Sequence, residues 1–381
     1  MYETIVFLLI LSFLVIIHEL GHYLLALKNK IRVKEFGLGY PPRILKLFTY
    51  QGTVFSLNAI PFGGFVQLEG ENGPEDAKKP IANKKQEDDG WGPFFSKSMS
   101  ARLQTLLAGV FFNFVFGILA FGIIFTQMGI PQDLSNQARI HELKENSPAF
   151  SAEMKENTNI VGFYSEYDKE WVVISSITEV QDYVDGHLGE EVIVKTTEPC
   201  QSTICPESYE EFQVYLRKET ERSESEGAMG VLFTTVVYEH YPWYLAIIKG
   251  SIYGFREALM LGVLILKALG TLVVDLINGR SIAMDVAGPV GIIHQAQTYG
   301  FFDGGFLNIL SFAALLSINL GVMNLLPIPA LDGGRAVFIL LEKVIAKNKI
   351  EKIANWANYL GFFVLILLMV FVSVNDVMKF F

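Results

Sequence analysis

Long apolar runs separated by polar segments predict four membrane-spanning helices. The runs cover about residues 3–27, 101–128, 305–328 and 354–374, and each has at least the roughly 20 residues that cross a bilayer as a helix. A fifth apolar stretch, about 243–277, is interrupted by several charged residues. Because it is too short for two spans and a turn, we expect one or two amphipathic helices there, on the outer face of the membrane or packed against the spans.

The two longest segments between the apolar runs predict different structures. At about residues 36–69, β-branched and aromatic residues alternate with Gly and Pro, which predicts a β-hairpin turned by Pro61, Gly63 and Gly64. The polar residues after it predict a linker. Residues 131–241 alternate short strand patterns with helical ones, as expected for an α+β domain with a small core of its own.

Basic residues near the ends of the apolar runs predict how the chain crosses the membrane. They follow the first span from Lys28 to Lys34 and the third span from Arg335 to Lys352, so the positive-inside rule holds both of these ends in the cytoplasm. Both termini and the α+β domain are then extracytoplasmic. We expect the first span to stay as a membrane helix, because no basic segment precedes it as in a cleaved signal peptide.

Composition and charge agree with a membrane protein. Of the 381 residues, 51% are hydrophobic and only 18% are charged, which is below the roughly 25% of soluble domains. The net charge of −10 arises mostly between residues 132 and 241, where 22 acidic residues face 8 basic ones, and it excludes a general nucleic-acid binder. Cys200 and Cys205 lie in the same segment, where a short disulfide and two free thiols both remain open.

The pattern H-E-x-x-H occurs inside the first span, as His18, Glu19 and His22. Residues four apart lie on one face of a helix, so both imidazoles can bind one metal ion while Glu19 holds an attacking water and takes its proton. Two histidines satisfied by interhelical hydrogen bonds are the structural alternative. Ionisable groups are costly at membrane depth without a common partner, and this favours the metal.

A catalytic zinc commonly takes a third protein ligand, and the best candidate is remote in sequence. Asp332 follows the third span in N-L-L-P-I-P-A-L-D-G-G, residues 324–334, and the predicted topology brings it to the depth of His18 and His22. Pro327 and Pro329 end the helix there. The alternative for Asp332 is a carboxylate in a turn at a helix end.

Two functions of other classes are alternatives to a hydrolase. A membrane-tethered binding protein that has lost its activity would use the α+β domain alone, but it would not need the intact H-E-x-x-H and L-D-G patterns. A metal transporter would line an ion path with His and Asp. It would leave Glu19, the hairpin and the α+β domain without an evident use.

These motifs together resemble the site-2 protease family of intramembrane metalloproteases, and most closely its bacterial regulator-of-sigma-E-protease type. The resemblance extends over nearly the whole chain. The further segments that carry it are GFVQLEGE (64–71), G-x-x-x-N at Gly109–Asn113, AGPVGI (287–292), and a PDZ-like insert with NSPAF (146–150).

The resemblance implies a zinc metalloendopeptidase with one Zn²⁺ held by His18, His22 and Asp332 and with Glu19 as general base. Asn324 is implied to position substrate or stabilise the oxyanion, and Asn113 is a second candidate for that role, with an interhelical hydrogen bond as its alternative. Gly63, Gly64 and Phe65 are implied to form a substrate-presenting loop; they are further residues of the same site.

The implied substrates are single-pass membrane proteins such as anti-sigma factors, and signal-peptide remnants, cut in a bacterial cytoplasmic membrane. Two departures from the family pattern concern the insert. It has room for one PDZ-like domain, where related proteases often carry two, and KENTNI (155–160) lacks the usual Gly-Asp. Val110 also stands where the family usually has Pro.

The predicted fold class is a polytopic α-helical membrane protein with four transmembrane helices, a membrane-associated β-hairpin and an inserted α+β PDZ-like extracytoplasmic domain. The predicted parts are the first transmembrane helix (1–28), a cytoplasmic loop (29–98), the second helix (99–130), the PDZ-like domain (131–241), amphipathic helices (242–304), the third helix with L-D-G (305–335) and the fourth helix (352–376).

Overall fold

A computed structural model of the chain describes residues 2–71, 73, 90–134, 136–198, 208–223, 226–278 and 288–380. The described chain forms two compact units. One contains residues 1–127 and 242–381, and the other contains residues 128–241. Most of the predicted linker and both cysteines lie outside the described residues, as does Ala287 of the AGPVGI segment.

Helices dominate the first unit, and strands dominate the second. The helices are α1 (Tyr2–Lys28), α2 (Met99–Met128), α3 (Pro148–Ser151), α4 (Ile177–Gly186), α5 (Trp243–Ile277), α6 (Pro289–Thr298), α7 (Phe306–Leu325), α8 (Asp332–Leu341) and α9 (Lys347–Phe380). The strands are β1 (Val33–Tyr50), β2 (Thr53–Leu68), β3 (Ile130–Asp133), β4 (Ala138–Leu143), β5 (Asn159–Tyr164), β6 (Trp171–Val173), β7 (Glu191–Thr197), β8 (Tyr209–Tyr215), β9 (Val231–Thr234) and β10 (Val236–Glu239).

Four helices of the described chain are long and apolar enough to cross a membrane: α1, α2, α7 and residues 349–379 of α9. They coincide with the four apolar runs of the sequence. The third span was expected to reach residue 328, but α7 ends at Leu325. The reason is local: Leu326, which precedes Pro327, has the extended conformation (ψ 145°) that the proline ring imposes on its predecessor.

The interrupted apolar stretch forms a single helix, α5, of 35 residues. Its glycines allow it to lie against α2, since a Cβ on Gly254 would come within 2.4 Å of the backbone nitrogen of Gly122, and one on Gly250 would meet Thr126 at 2.5 Å. The Thr126 hydroxyl also donates to the Ala246 carbonyl oxygen, at 3.2 Å. The helix is therefore packed against the spans, one of the two arrangements expected for it.

Strands β1 and β2 are long and bent, and they form a sheet with four rows beside one another, in the order 43–50, 53–58, 33–38 and 64–68. The chain reverses at Gln51 and Gly52, both with positive φ, the geometry of a two-residue hairpin turn. Residues 35–38 have two sets of partners: residues 64–67 run against them on one side, and residues 54–57 run with them on the other. Residues 64–68 thus form an outer row, and in the described chain they pair only with β1.

Gly63, Gly64 and Phe65, the expected substrate-presenting segment of the hairpin, all lie within β2. A turn exists just before them, where the chain passes from one row to the next and Gly63 has a φ of 71°. The backbone nitrogen of Gly63 donates to the Ser12 hydroxyl at 3.2 Å. The outer row is therefore held against α1.

The second unit contains a sheet in the order β8-β7-β5-β4-β9, with β6 paired to β5, and a separate β3–β10 pair. Its core is built from fully buried apolar side chains such as Ile140, Phe163 and Val194. Helix α4 closes it through Tyr183, which stacks on Phe163 at 4.6 Å between ring centroids. Burial, together with the hydrogen bond that its hydroxyl donates to Asp168, raises the pKa of Tyr183 to about 12.

Candidate metal centre

Helices α1 and α8 bring three ionisable side chains to one point. The Nε2 atom of His18 lies 2.9 Å from Oδ2 of Asp332, and Nε2 of His22 lies 3.3 Å from the same oxygen. His18 and Asp332 are 314 positions apart in the sequence. The three side chains are at most 16% exposed, so their atoms face one another rather than solvent.

The ring of His22 is oriented by the backbone of α2. Its Nδ1 lies 2.9 Å from the carbonyl oxygen of Thr105. A carbonyl only accepts hydrogen bonds, so this nitrogen carries the proton and the lone pair of the neutral ring lies on Nε2. That is the tautomer that a metal-binding histidine needs.

The ring of His18 is oriented by Asn113, a fully buried residue of α2. Asn113 Nδ2 lies 3.1 Å from His18 Nδ1, while Asn113 Oδ1 is buried without a hydrogen-bond partner in the described chain. Turning the amide by 180° brings Oδ1 to Nδ1–H and frees the lone pair of His18 Nε2. Asn113 is not among the residues that line the cavity described below, and its contact with His18 joins α2 to α1, so the geometry favours the interhelical hydrogen bond over the oxyanion role.

Two glycines make room for the histidine pair between α1 and α2. A Cβ on Gly109 would lie 2.6 Å from Nε2 of both His18 and His22. A Cβ on Gly21 would lie 2.5 Å from the carbonyl oxygen of Ala108. The glycine of HELGH and the first residue of G-x-x-x-N therefore lie where α1 and α2 pack too closely for a larger side chain.

The segment between α7 and α8 brings Asp332 to the histidines. Ala330 has a φ of 76°, and its backbone nitrogen donates to the Asn358 side chain of α9 at 3.0 Å. Gly333 and Gly334 have no room for a side chain, because a Cβ on either would come within 2.1 Å of a backbone oxygen, of Leu325 and Ile328 respectively. The two glycines after Asp332 thus let α8 begin directly against the end of α7.

These residues fit a tetrahedral metal ion. Ligand atoms about 2.0–2.1 Å from a tetrahedral zinc lie about 3.3 Å from one another, and the observed separations are 2.9 and 3.3 Å. The unpartnered Oδ1 of Asn113 gains a partner when His18 adopts the metal-binding tautomer. Two imidazoles and one carboxylate are the donor set of several catalytic zinc sites, which keep the fourth position open.

The centre opens into a cavity of about 470 Å³. Glu19 and Asn324 both line it, with His18, His22 and Asp332. Within the described chain, the Asn324 amide makes no hydrogen bond, so its donors are free for a ligand. The backbone of Val66, in the outer row of β2, is within hydrogen-bonding reach of the Glu19 carboxylate.

Sequence reasoning missed an ion pair at the same cavity. The guanidinium of Arg335, one turn after Asp332 on α8, pairs with Glu71, which follows β2. Both side chains line the cavity. The signal was present in the sequence, since Arg335 directly follows L-D-G-G and Glu71 ends GFVQLEGE, but only the fold brings these two motifs together.

Comparisons with known proteins give the same assignment from a different direction. The model of peptidase family M50 matches residues 6–368. The chain is 27% identical to the zinc metalloprotease RasP of Geobacillus kaustophilus, over 98% of this chain and 97% of that protein. It is 25% identical to the regulator of sigma-W protease RasP of Bacillus subtilis, over 99% of each.

The family match covers almost the entire chain, and it includes the helices that carry His18, Glu19, His22 and Asp332. The expected resemblance is therefore confirmed at the level of the family and of the zinc-dependent activity. The chain belongs to peptidase family M50, the site-2 protease family of zinc metalloproteases.

Proposed function

We propose that the chain hydrolyses peptide bonds within or next to the transmembrane segments of single-pass membrane proteins, with His18, His22 and Asp332 as zinc ligands. One observation carries this proposal: three ligand atoms meet in a cavity between helices apolar enough to span a membrane. A polar cavity that holds water within the membrane allows hydrolysis of a substrate that is itself embedded in the membrane.

The chemistry divides between the ion and the chain's own residues. When bound, zinc supplies a Lewis acid that polarises the scissile carbonyl and the attacking water. Glu19 faces the cavity and takes the proton of that water at its carboxylate, then returns it to the leaving amine. The Asn324 amide donates a hydrogen bond to the oxygen that becomes negative in the transition state. Asn113 and Thr105 hold the two imidazoles.

A helical substrate hides its peptide groups, so it must be extended before it is cut. We propose that the outer row of β2, with Gly64 and Phe65, receives the unwound segment by strand addition. Two observations support this. Residues 64–68 pair only with β1 within the described chain, and Phe65 and Val66 line the metal cavity.

The cellular setting is part of the same proposal. The relative from Bacillus subtilis is named for the regulation of sigma-W, and we propose anti-sigma factors and signal-peptide remnants as substrates in a bacterial cytoplasmic membrane. The apolar residues exposed on the hairpin, among them Ile44, Leu47 and Phe48, support a membrane-associated hairpin. We further propose that the second unit is a PDZ-like domain on the extracytoplasmic side, inserted at about residues 131–241 between the second and third spans.

Replacing Glu19 tests the proposed function. Glu19→Gln keeps the size of the side chain and removes the base, so we expect unchanged zinc content and at least a hundredfold slower cleavage of a transmembrane substrate in detergent or vesicles. Glu3→Gln, at the start of the same helix, is the matched control and should cleave normally. Cleavage by Glu19→Gln at the wild-type rate would overturn the proposal, whereas a protein that only binds or transports would not cleave in either form.

A further inference from the structure

A second cavity lies on the opposite side of α2 from the metal centre, between α1, α2 and α8. Its volume is about 770 Å³, within the range of about 300–1,000 Å³ that small-molecule sites occupy. Its apolar wall is formed by Leu25, Leu103, Leu107, Phe111 and Leu340. This groove is separate from the metal cavity, with which it shares no lining residue.

One end of the groove is basic. Lys28 and Lys343 line it together with the polar side chains of Ser100 and Gln104, and no acidic residue of the described chain does. Both lysines are exposed, and within the described residues neither ammonium group has a hydrogen-bond or ion-pair partner. Two cations without a partner among the described residues, at the mouth of an apolar groove, match an occupant with a negative head group and an apolar tail.

The position along the helices matches a phospholipid. Lys28 is the last residue of α1, and Ser100 lies in the first turn of α2, so the basic end lies where two candidate spans end. The apolar wall continues along one face of α2 through Leu103, Leu107 and Phe111. From Ser100 to Phe111 the helix rises about 16 Å, close to the half-thickness of about 15 Å that one acyl chain covers in a bilayer core.

We propose that this groove binds one anionic phospholipid, with its phosphate at Lys28 and Lys343 and an acyl chain along α2. Basic pockets between transmembrane helices bind anionic head groups elsewhere by the same chemistry. The occupant would lie against the segment of α2 whose Thr105 carbonyl oxygen orients His22. Its binding is independent of the proposed proteolytic function, since no metal ligand is among the lining residues.

Native mass spectrometry of the detergent-purified full chain tests this proposal with dioleoyl-phosphatidylglycerol against dioleoyl-phosphatidylcholine. Each lysine near a membrane surface contributes about a factor of five to binding of an anionic lipid, so Lys28→Gln with Lys343→Gln should weaken phosphatidylglycerol binding about thirtyfold. Lys349→Gln with Lys352→Gln removes two charges at the start of α9 and should bind as the wild type does. Leu107→Trp, which keeps both lysines but fills the groove, should also lose the lipid.

Three results would overturn the proposal. The first is equal retention of the two lipids by the wild type. The second is phosphatidylglycerol binding by the Lys28 and Lys343 double variant that is as tight as in the wild type. The third is covalent capture of a substrate's transmembrane segment, instead of a phospholipid, in the groove. This third result is measured with a photoreactive residue placed at position 104, which is exposed in the groove. Native membranes are irradiated, and the molecule that becomes linked to this residue is identified. Normal zinc content in each variant shows that a loss of lipid is not a loss of fold.

Discussion

Asn113 and His18 are in contact inside the protein, and one polar atom of the Asn113 amide has no hydrogen-bond partner among the described residues. The Asn113 amide nitrogen faces His18 Nδ1, and its oxygen has no partner in the described chain. A buried unsatisfied polar atom costs roughly 1–3 kcal/mol. Rotating the amide by 180° lets this oxygen accept a hydrogen bond from Nδ1 when Nδ1 carries the proton, and that tautomer leaves Nε2 free for a metal. This geometry supports the alternative to the oxyanion role, in which Asn113 fixes the tautomer of His18, a proposed zinc ligand.

Replacing Asn113 by two similar side chains separates these roles. If Asn113 accepts a hydrogen bond from His18, Asn113→Asp retains the acceptor and should keep zinc affinity within a few-fold, whereas Asn113→Leu should weaken zinc binding about 10–100-fold. Competition with a chelator measures both. Equal affinities in Asn113→Leu and the wild type would contradict this positioning role.

The residues of the site differ in how far sequence reasoning reaches them. His18, Glu19 and His22 follow from one helical turn, and Asp332 follows from topology. Thr105 does not follow, because its backbone oxygen acts and the residue type carries no signal. Gly109 was recognised only as part of a motif. It leaves space for the Nε2 atoms of His18 and His22, and this depends on how α1 and α2 cross, which the sequence does not show.

At the scale of elements, the β-sheet beside α1 matters most. Its outer row faces the cavity, and the backbone of Val66 reaches Glu19. The hairpin itself was predicted from alternation, but its four-row arrangement was not. Residues 35–38 pair on both sides, and nothing in a period-two pattern tells a strand with one partner from a strand with two.

A proline in the outer row tests substrate presentation. Val66→Pro removes a backbone donor from the row, so we expect at least a tenfold loss of cleavage with zinc content unchanged. Val66→Ala, which keeps the donor and shortens the side chain, is the control and should retain most of the activity. Normal cleavage by Val66→Pro would rule out strand addition at this edge.

The pair of Glu71 and Arg335 connects that sheet to the helix of Asp332. Removing one partner leaves the other charge poorly compensated at the cavity, and removing both does not. We therefore expect Glu71→Gln and Arg335→Gln each to lower kcat/KM, and the double variant to lose no more than the worse single variant. Losses that multiply in the double variant would show that the two side chains act independently.

At the scale of the whole molecule, the chain divides into two units whose boundary falls near residues 127 and 242. The four apolar helices and the mixed helix and sheet composition were predicted from hydropathy and alternation. The identity of the second unit as a PDZ-like domain and the side of the membrane on which it lies stay predictions, because neither hydropathy nor a sheet order measures orientation.

The two cysteines give a direct test of that orientation. Cys200 and Cys205 are the only cysteines of the chain, and the predicted topology puts them outside the cell. After mild reduction, a membrane-impermeant maleimide should label them in intact spheroplasts, and labelling without reduction would distinguish free thiols from a disulfide. With both replaced by serine, Lys46→Cys in the hairpin should react only after permeabilisation. The reverse pattern would contradict the topology.

The dependence of hydrolysis on bound zinc tests the central claim most directly. Purified chain is stripped with a chelator, reloaded with increasing zinc, and assayed for zinc content and for cleavage of a single-pass transmembrane substrate in the same samples. We predict that cleavage rises in proportion to bound zinc and reaches its plateau at one ion per chain, and that Asp332→Ala loses both together. Full cleavage by the stripped protein, or by Asp332→Ala, would contradict the account.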